Sequence, residues 1–121
     1  MALIAASVAL SAVTLASQAF AECDEDAQDA AGRAVAVAAS AKVSQAVTVQ
    51  GKQMLSIDDC NATSAGLLVT YKYNFLAADG LYWVMGSAKV NGTNVSDLKV
   101  TMMSPNLSAA SAAKGVKLAS N

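Results

Sequence analysis

Residues 67–76 alternate: Val69, Tyr71, Tyr73 and Phe75 share one side, and Leu68, Thr70, Lys72, Asn74 and Leu76 the other. A period of two is the mark of a strand with one buried face. The turn signal Ala78-Asp79-Gly80 follows, then a second strand over 81–89, then Asn91-Gly92 and a third strand over 93–103. Upstream, residues 53–59, with Met54, Leu55 and Ile57, predict an earlier strand, and residues 61–66 its loop to the next. The region reads as a four-stranded antiparallel meander.

Register decides which face is the core, because a slip of one residue exchanges the two sides of a strand. Pairing across an Asp79-Gly80 loop sets Tyr82, Val84, Gly86, Ala88 and Val90 beside Val69, Tyr71, Tyr73 and Phe75, with Gly86 and Ala88 leaving room for the tyrosine rings. A two-residue hairpin at Asn91-Gly92 would turn Asp97, Lys99 and Thr101 inward and bury unpaired charge. A three-residue loop, Val90-Asn91-Gly92, brings in Ser96, Leu98, Val100 and Met102 instead and is the expected solution.

Two helices flank these strands. Residues 24–41 are rich in Ala, carry acids at the start and Arg33 and Lys42 later, and contain no Pro, a distribution that complements the helix dipole. Near the other end, Ser104-Pro105 reads as an N-cap with Pro at the first helical position and Gly115 as a stop, predicting a short helix over 106–114. The fold class is therefore α+β, an N-terminal helix packed on an antiparallel meander. In layout it resembles the cystatins. Gln45-Ala46-Val47-Thr48-Val49 is similar to that family's Gln-x-Val-x-Gly loop, with Val49 at the glycine position, and no Pro-Trp loop is present, so the resemblance concerns architecture and carries no inhibitory residues.

Residues 1–21 contain no charge, run through Leu3, Ile4, Val8, Leu10, Val13 and Leu15, and end Ala19-Phe20-Ala21, the pattern of a cleavable signal peptide with cleavage after Ala21. The alternative, a membrane anchor, is diluted by Ala and Ser and barely long enough to span. Residues 22–121 then form one domain, secreted or periplasmic, with no stable membrane insertion after cleavage. Export places Cys23 and Cys60 in an oxidising compartment, where a lone pair is expected to form one disulfide; there is no Cys-x-x-Cys redox motif.

The net charge of −1 gives no field for gathering nucleic acid. The chain contains no His, which removes Ser-His-Asp, Cys-His and His-zinc chemistry, and it has no glycine-rich phosphate loop. No cofactor and no catalytic residue is assigned. The disulfide would bring Asp24, Glu25 and Asp26 near Asp58 and Asp59, an oxygen-rich set that suits Ca²⁺; the plainer reading is a helix cap and a solvated turn. Asn61, Asn91, Asn94 and Asn106 head glycosylation acceptor patterns that matter only in a eukaryotic secretory pathway.

The sheet side opposite the core is unusually apolar. Leu68, Leu76, Leu81, Trp83, Met85 and Val95 are expected there as a candidate partner surface. Either the C-terminal helix folds over it through Leu107, Val116 and Leu118, or it binds a partner or a second copy. The expected function is a non-catalytic binding module of the envelope or secretome. The alternatives are a structural, self-assembling envelope protein and an enzyme with an unusual carboxylate site.

Overall fold

Helix α1 (Glu25–Val43) starts where the sequence provides its cap: Asp24 Oδ1 accepts a hydrogen bond from the Ala27 N–H at 2.7 Å. Glu25 and Asp26 occupy its first turn and Lys42 its last, so the dipole is complemented at both ends. Ala31, Val35, Ala39 and Val43, spaced by four, form the stripe it buries. The structure is a computed structural model describing residues 21–120; the proposed signal segment, apart from Ala21, lies outside the described residues.

The short strand β1 (Ala21–Glu22) is followed by α1 and then by β2 (Gln53–Thr63), β3 (Gly66–Ala77), β4 (Gly80–Asn91) and β5 (Asn94–Met103). Helix α2 (Pro105–Lys114) ends the fold. All strands pair antiparallel with their chain neighbours, in the order β1-β2-β3-β4-β5. The α+β architecture is as the sequence predicts: helix, four-stranded meander, short helix.

Pairing of β3 with β4 sets Phe75 opposite Tyr82, Tyr73 opposite Val84, Tyr71 opposite Gly86 and Val69 opposite Ala88. The hairpin tip is Ala78-Asp79, one residue earlier than expected, with Gly80 at φ 137° already paired to Ala77. Both choices have the same parity, so the faces are unchanged. Tyr73, Phe75 and Tyr82 stack in a row beneath α1, with successive ring centroids 5.4 Å apart. Burial raises the pKa values of Tyr71, to about 12, and Tyr73; hydrogen bonding to the Asp79 carboxylate raises that of Tyr82.

The β4–β5 hairpin departs from expectation. It closes through Gly92-Thr93, with Asn91 paired to Asn94 and Val90 to Val95, the parity that should drive Asp97 inward. Two register shifts prevent this. Asp97 adopts φ 51° at the first, between the Lys89/Ser96 and Ser87/Lys99 pairs, and the second separates Gly86/Val100 from Met85/Met102. Each adds one residue to β5 and reverses its parity. Leu98 and Val100 face the core as predicted, whereas Ser96 and Met102 lie on the outer face opposite Lys89 and Met85. Val95, expected outside, packs against the core.

The same bulging turns the Lys99 carbonyl toward the core side, where the Tyr71 hydroxyl donates to it at 2.9 Å. Gly86 makes this possible, because a Cβ there would collide with that carbonyl and press on the Tyr71 hydroxyl.

Strand β2 runs four residues beyond its predicted end, absorbing most of the expected loop and leaving Ser64-Ala65 as the turn. A bulge between Ile57 and Asp59 reverses its parity, so that Leu55 and Ile57 before it, and Cys60 after it, all face the core. Cys60 there bonds Cys23, with Cα atoms 5.5 Å apart, and the Cys23 N–H donates to the Cys60 carbonyl at 3.2 Å. Closing a loop of 37-residue separation stabilises the fold by about 4 kcal/mol on the chain-entropy account.

Ser104 precedes α2 as expected but makes no side-chain cap; its Oγ accepts from the Trp83 N–H at 3.1 Å, while its own N–H donates to the Trp83 carbonyl at 2.9 Å. Gly115, at φ 68°, ends the helix with Val116 N–H donating to Ser111 and its own N–H to Ala112. Leu107 and Leu118 are fully buried among the core residues, and Ser120 bonds the backbone of Val100 along the outer edge of β5. The C-terminal segment thus completes the core and closes a sheet edge; it does not cover the Trp83 face.

Candidate functional site

Register defines the outer face row by row. Across β2, β3 and β4, Met54, Asn74 and Trp83 form one row; Ser56, Lys72 and Met85, continued by Met102 on β5, form the next. Leu76 and Leu81 pair beyond Trp83, at the β3–β4 hairpin end. Toward the opposite end the rows become polar: Asp59, Thr70, Ser87 and Lys99, then Asn61, Leu68, Lys89 and Ser96.

The face is therefore graded. At one end lie Leu76, Leu81, Trp83, Met85, Met102 and Met54, of which Leu81 and Met102 are each 57% exposed and Met54 66%. Trp83 and Met85 are half-buried and, among the described residues, stand apart from the core cluster that the two helices pack against. The Lys72 ammonium sits 5.8 Å from the centre of the Trp83 ring, a cation–π contact that still leaves its charge at the surface. Beside Trp83, the Asn74 Oδ1 is buried without a hydrogen-bond partner among the described residues, a polar atom whose desolvation they leave uncompensated.

At the polar end an open groove of about 350 Å³ is lined by Asp59, Asn61, Leu68, Thr70, Ser87, Lys89, Asp97 and Lys99. Thr70 Oγ1 donates to Asp59 at 3.4 Å, and Lys89 approaches Asp97 at 3.8 Å, both at the exposed surface. Such contacts are weak in water and readily exchanged for contacts with a partner. What the whole face can do is recognise: an aromatic and methionine-rich patch for apolar contact, flanked by exchangeable charges.

Five of the six predicted surface residues, Leu68, Leu76, Leu81, Trp83 and Met85, lie on this face. Val95 does not, for the parity reason given above, and Met54 and Met102 take part unpredicted. Met54 was detectable, because it alternates with Leu55 and Ile57; Met102 was not, because its position depends on two bulges.

The five carboxylates considered for Ca²⁺ do not converge: among the described residues no three acidic, Cys or His groups are arranged to hold a metal. Asp24 is spent as the helix cap, Asp58 is the extra residue of the β2 bulge, and Asp59 resumes the pairing after it. Of the acceptor-pattern residues, Asn91, Asn94 and Asn106 are exposed, Asn106 donating to the Leu81 carbonyl at 2.9 Å, and Asn61 is half-buried in β2. Segment 45–49 is a packed connector between α1 and β2, with Ala46 buried and Val47 and Val49 against the core, rather than a projecting loop. Among the described residues no helix is long and apolar enough to cross a membrane. Comparison of the chain with protein-family models, curated proteins and solved structures finds no match.

Proposed function

We propose that this protein is an exported, non-catalytic binding module that docks a protein partner through the outer face of its sheet, with Trp83 as the anchor. The observation that carries the reading is that the described residues leave the apolar end of this face uncovered although the chain has a C-terminal helix available, and that helix is used elsewhere. A solvated face of an antiparallel sheet is ordinarily polar, so an open tract of Leu, Met and Trp points to intermolecular contact. Trp and the adaptable Met side chains are favoured at such contacts.

Export to the periplasm or the extracellular space is part of the proposal. It rests on the apolar, charge-free start ending Ala19-Phe20-Ala21 and on the disulfide. The non-catalytic reading rests on the absence of His from the sequence and on the open, exposed character of the groove.

The test uses Trp83→Ala, comparing unfolding with retention of the native partner from envelope or secreted material. Association should weaken by about 2 kcal/mol or more, while unfolding changes by no more than about 1 kcal/mol. A variant that loses stability as a core mutant does, or that binds as the wild type does, refutes the assignment.

A further inference from the structure

Among the described residues the outer edge of β2 is open from Gln53 to Asp59, where β1 pairs with Asn61 and Ala62 alone. The Lys52 carbonyl accepts from the Leu76 N–H at 3.1 Å, which places it on the β3 side. Antiparallel ladders alternate, so Met54 and Ser56 also point their backbone groups at β3, and Gln53, Leu55 and Ile57 point theirs outward. The bulge reverses this, and the Cys60 carbonyl accordingly meets Cys23 on the outer side. An unpaired, Pro-free row of donors and acceptors is a template for another strand.

We propose that the occupant is the same edge of a second copy, paired antiparallel about a two-fold axis through Leu55. That register matches outward-facing groups only with outward-facing groups: Leu55 with its symmetry mate and Gln53 with Ile57 in both directions, about six backbone hydrogen bonds. It sets Met54 opposite Ser56 and Lys52 opposite Asp58, twice over. Lys52 and Asp58 are exposed and carry no ion pair among the described residues, so the register is self-complementary in charge.

Beside the edge, a groove of about 420 Å³ between α1 and β2 has Leu55 and Ile57 on its floor and Gly32 on its helix wall. These half-buried side chains point to the core side, where the symmetry-related pair continues the apolar layer. A two-fold axis perpendicular to the sheet keeps both outer faces on one side, so the pairing widens the Trp83 surface and does not occupy it. The proposal is independent of the partner reading.

The test is sedimentation or light scattering of the isolated protein, disulfide intact, across a concentration series. The wild type should dimerise. Lys52→Asp and Asp58→Lys, each placing like charges opposite one another, should raise the dimer dissociation constant roughly tenfold. Lys52→Asp/Asp58→Lys together should restore it to within about threefold of the wild type. Both positions are exposed, and an unchanged unfolding midpoint verifies folding. A wild type that stays monomeric, a dimer indifferent to the single reversals, or a double reversal that fails to recover overturns the proposal. Trp83→Ala should leave dimerisation unchanged; if it abolishes the dimer, the contact lies on the outer face and the edge pairing is wrong.

Discussion

The two faces of the central sheet are built from the same alternating strands, yet only one is finished. On the helix side Tyr73, Phe75 and Val84 are fully excluded from water, and each polar atom of the aromatic row has a partner: Tyr71 the Lys99 carbonyl, Tyr73 the Gln53 side chain, Tyr82 the Asp79 carboxylate. On the other side Leu81, Met102 and Met54 stay largely exposed, and Asn74 Oδ1 has no partner among the described residues. Apolar content alone does not separate the faces; covering elements do. α1 and the C-terminal segment both serve one side, and the other retains unspent apolar surface, the quantity that drives association.

Paired truncations should break the symmetry most visibly. Phe75→Ala empties a packed aromatic site and should cost about 4 kcal/mol or prevent folding, whereas Trp83→Ala should cost no more than about 1 kcal/mol in chemical denaturation. Similar losses at the two positions would mean that the outer face is packed. Next in size, Gly86→Ala should destabilise by about 3 kcal/mol, since the new methyl must displace the Lys99 backbone that bulging brought to Tyr71. A neutral result would show that the bulge yields easily.

A smaller effect sharpens the core side alone. Tyr71→Phe should cost about 1 kcal/mol at neutral pH through loss of the bond to Lys99. The Tyr71 pKa is pushed up to about 12 by burial, so the folded state holds the proton after the unfolded chain has released it. The stabilisation is complete below the unfolded value near 10 and is lost as pH rises from there toward 12. Unfolding free energies measured between about pH 9 and about pH 11 should fall more steeply for the wild type than for Tyr71→Phe. Equal slopes would mean that Tyr71 is not the group responsible.

Much of this was legible in the sequence, and where it failed the cause was not local to the residues concerned. The alternation of Val69 to Phe75 and the answering series Tyr82 to Val90 fixed both faces of β3 and β4, because strict alternation leaves a long strand one sensible register. The caps Asp24 and Gly115 were readable because their chemistry is local. Bulges are not local. The reasoning that charged Asp97 must stay out was sound, but the chain achieves it by a left-handed Asp97 and an added residue in β5; the Gly92-Thr93 turn ahead of it sets Val95 inward and Ser96 outward, and a second added residue turns Met102 outward. At Asp58 the same device carried Cys60 to the core and extended β2 through residues whose composition signals a loop. The destination of α2 was equally hidden, since Leu107 and Leu118 suit either face and only the finished sheet shows that one of them was still open.

The account's central claim is that the Trp83 face is open in the isolated protein. Trp83 is the only tryptophan, so its fluorescence reports that face directly. In the native, disulfide-bonded protein, acrylamide should quench it readily and its emission should lie toward the red of a buried indole. A blue-shifted Trp83 shielded from acrylamide at concentrations where the protein is monomeric would show the face to be covered by its own chain, and would contradict the claim.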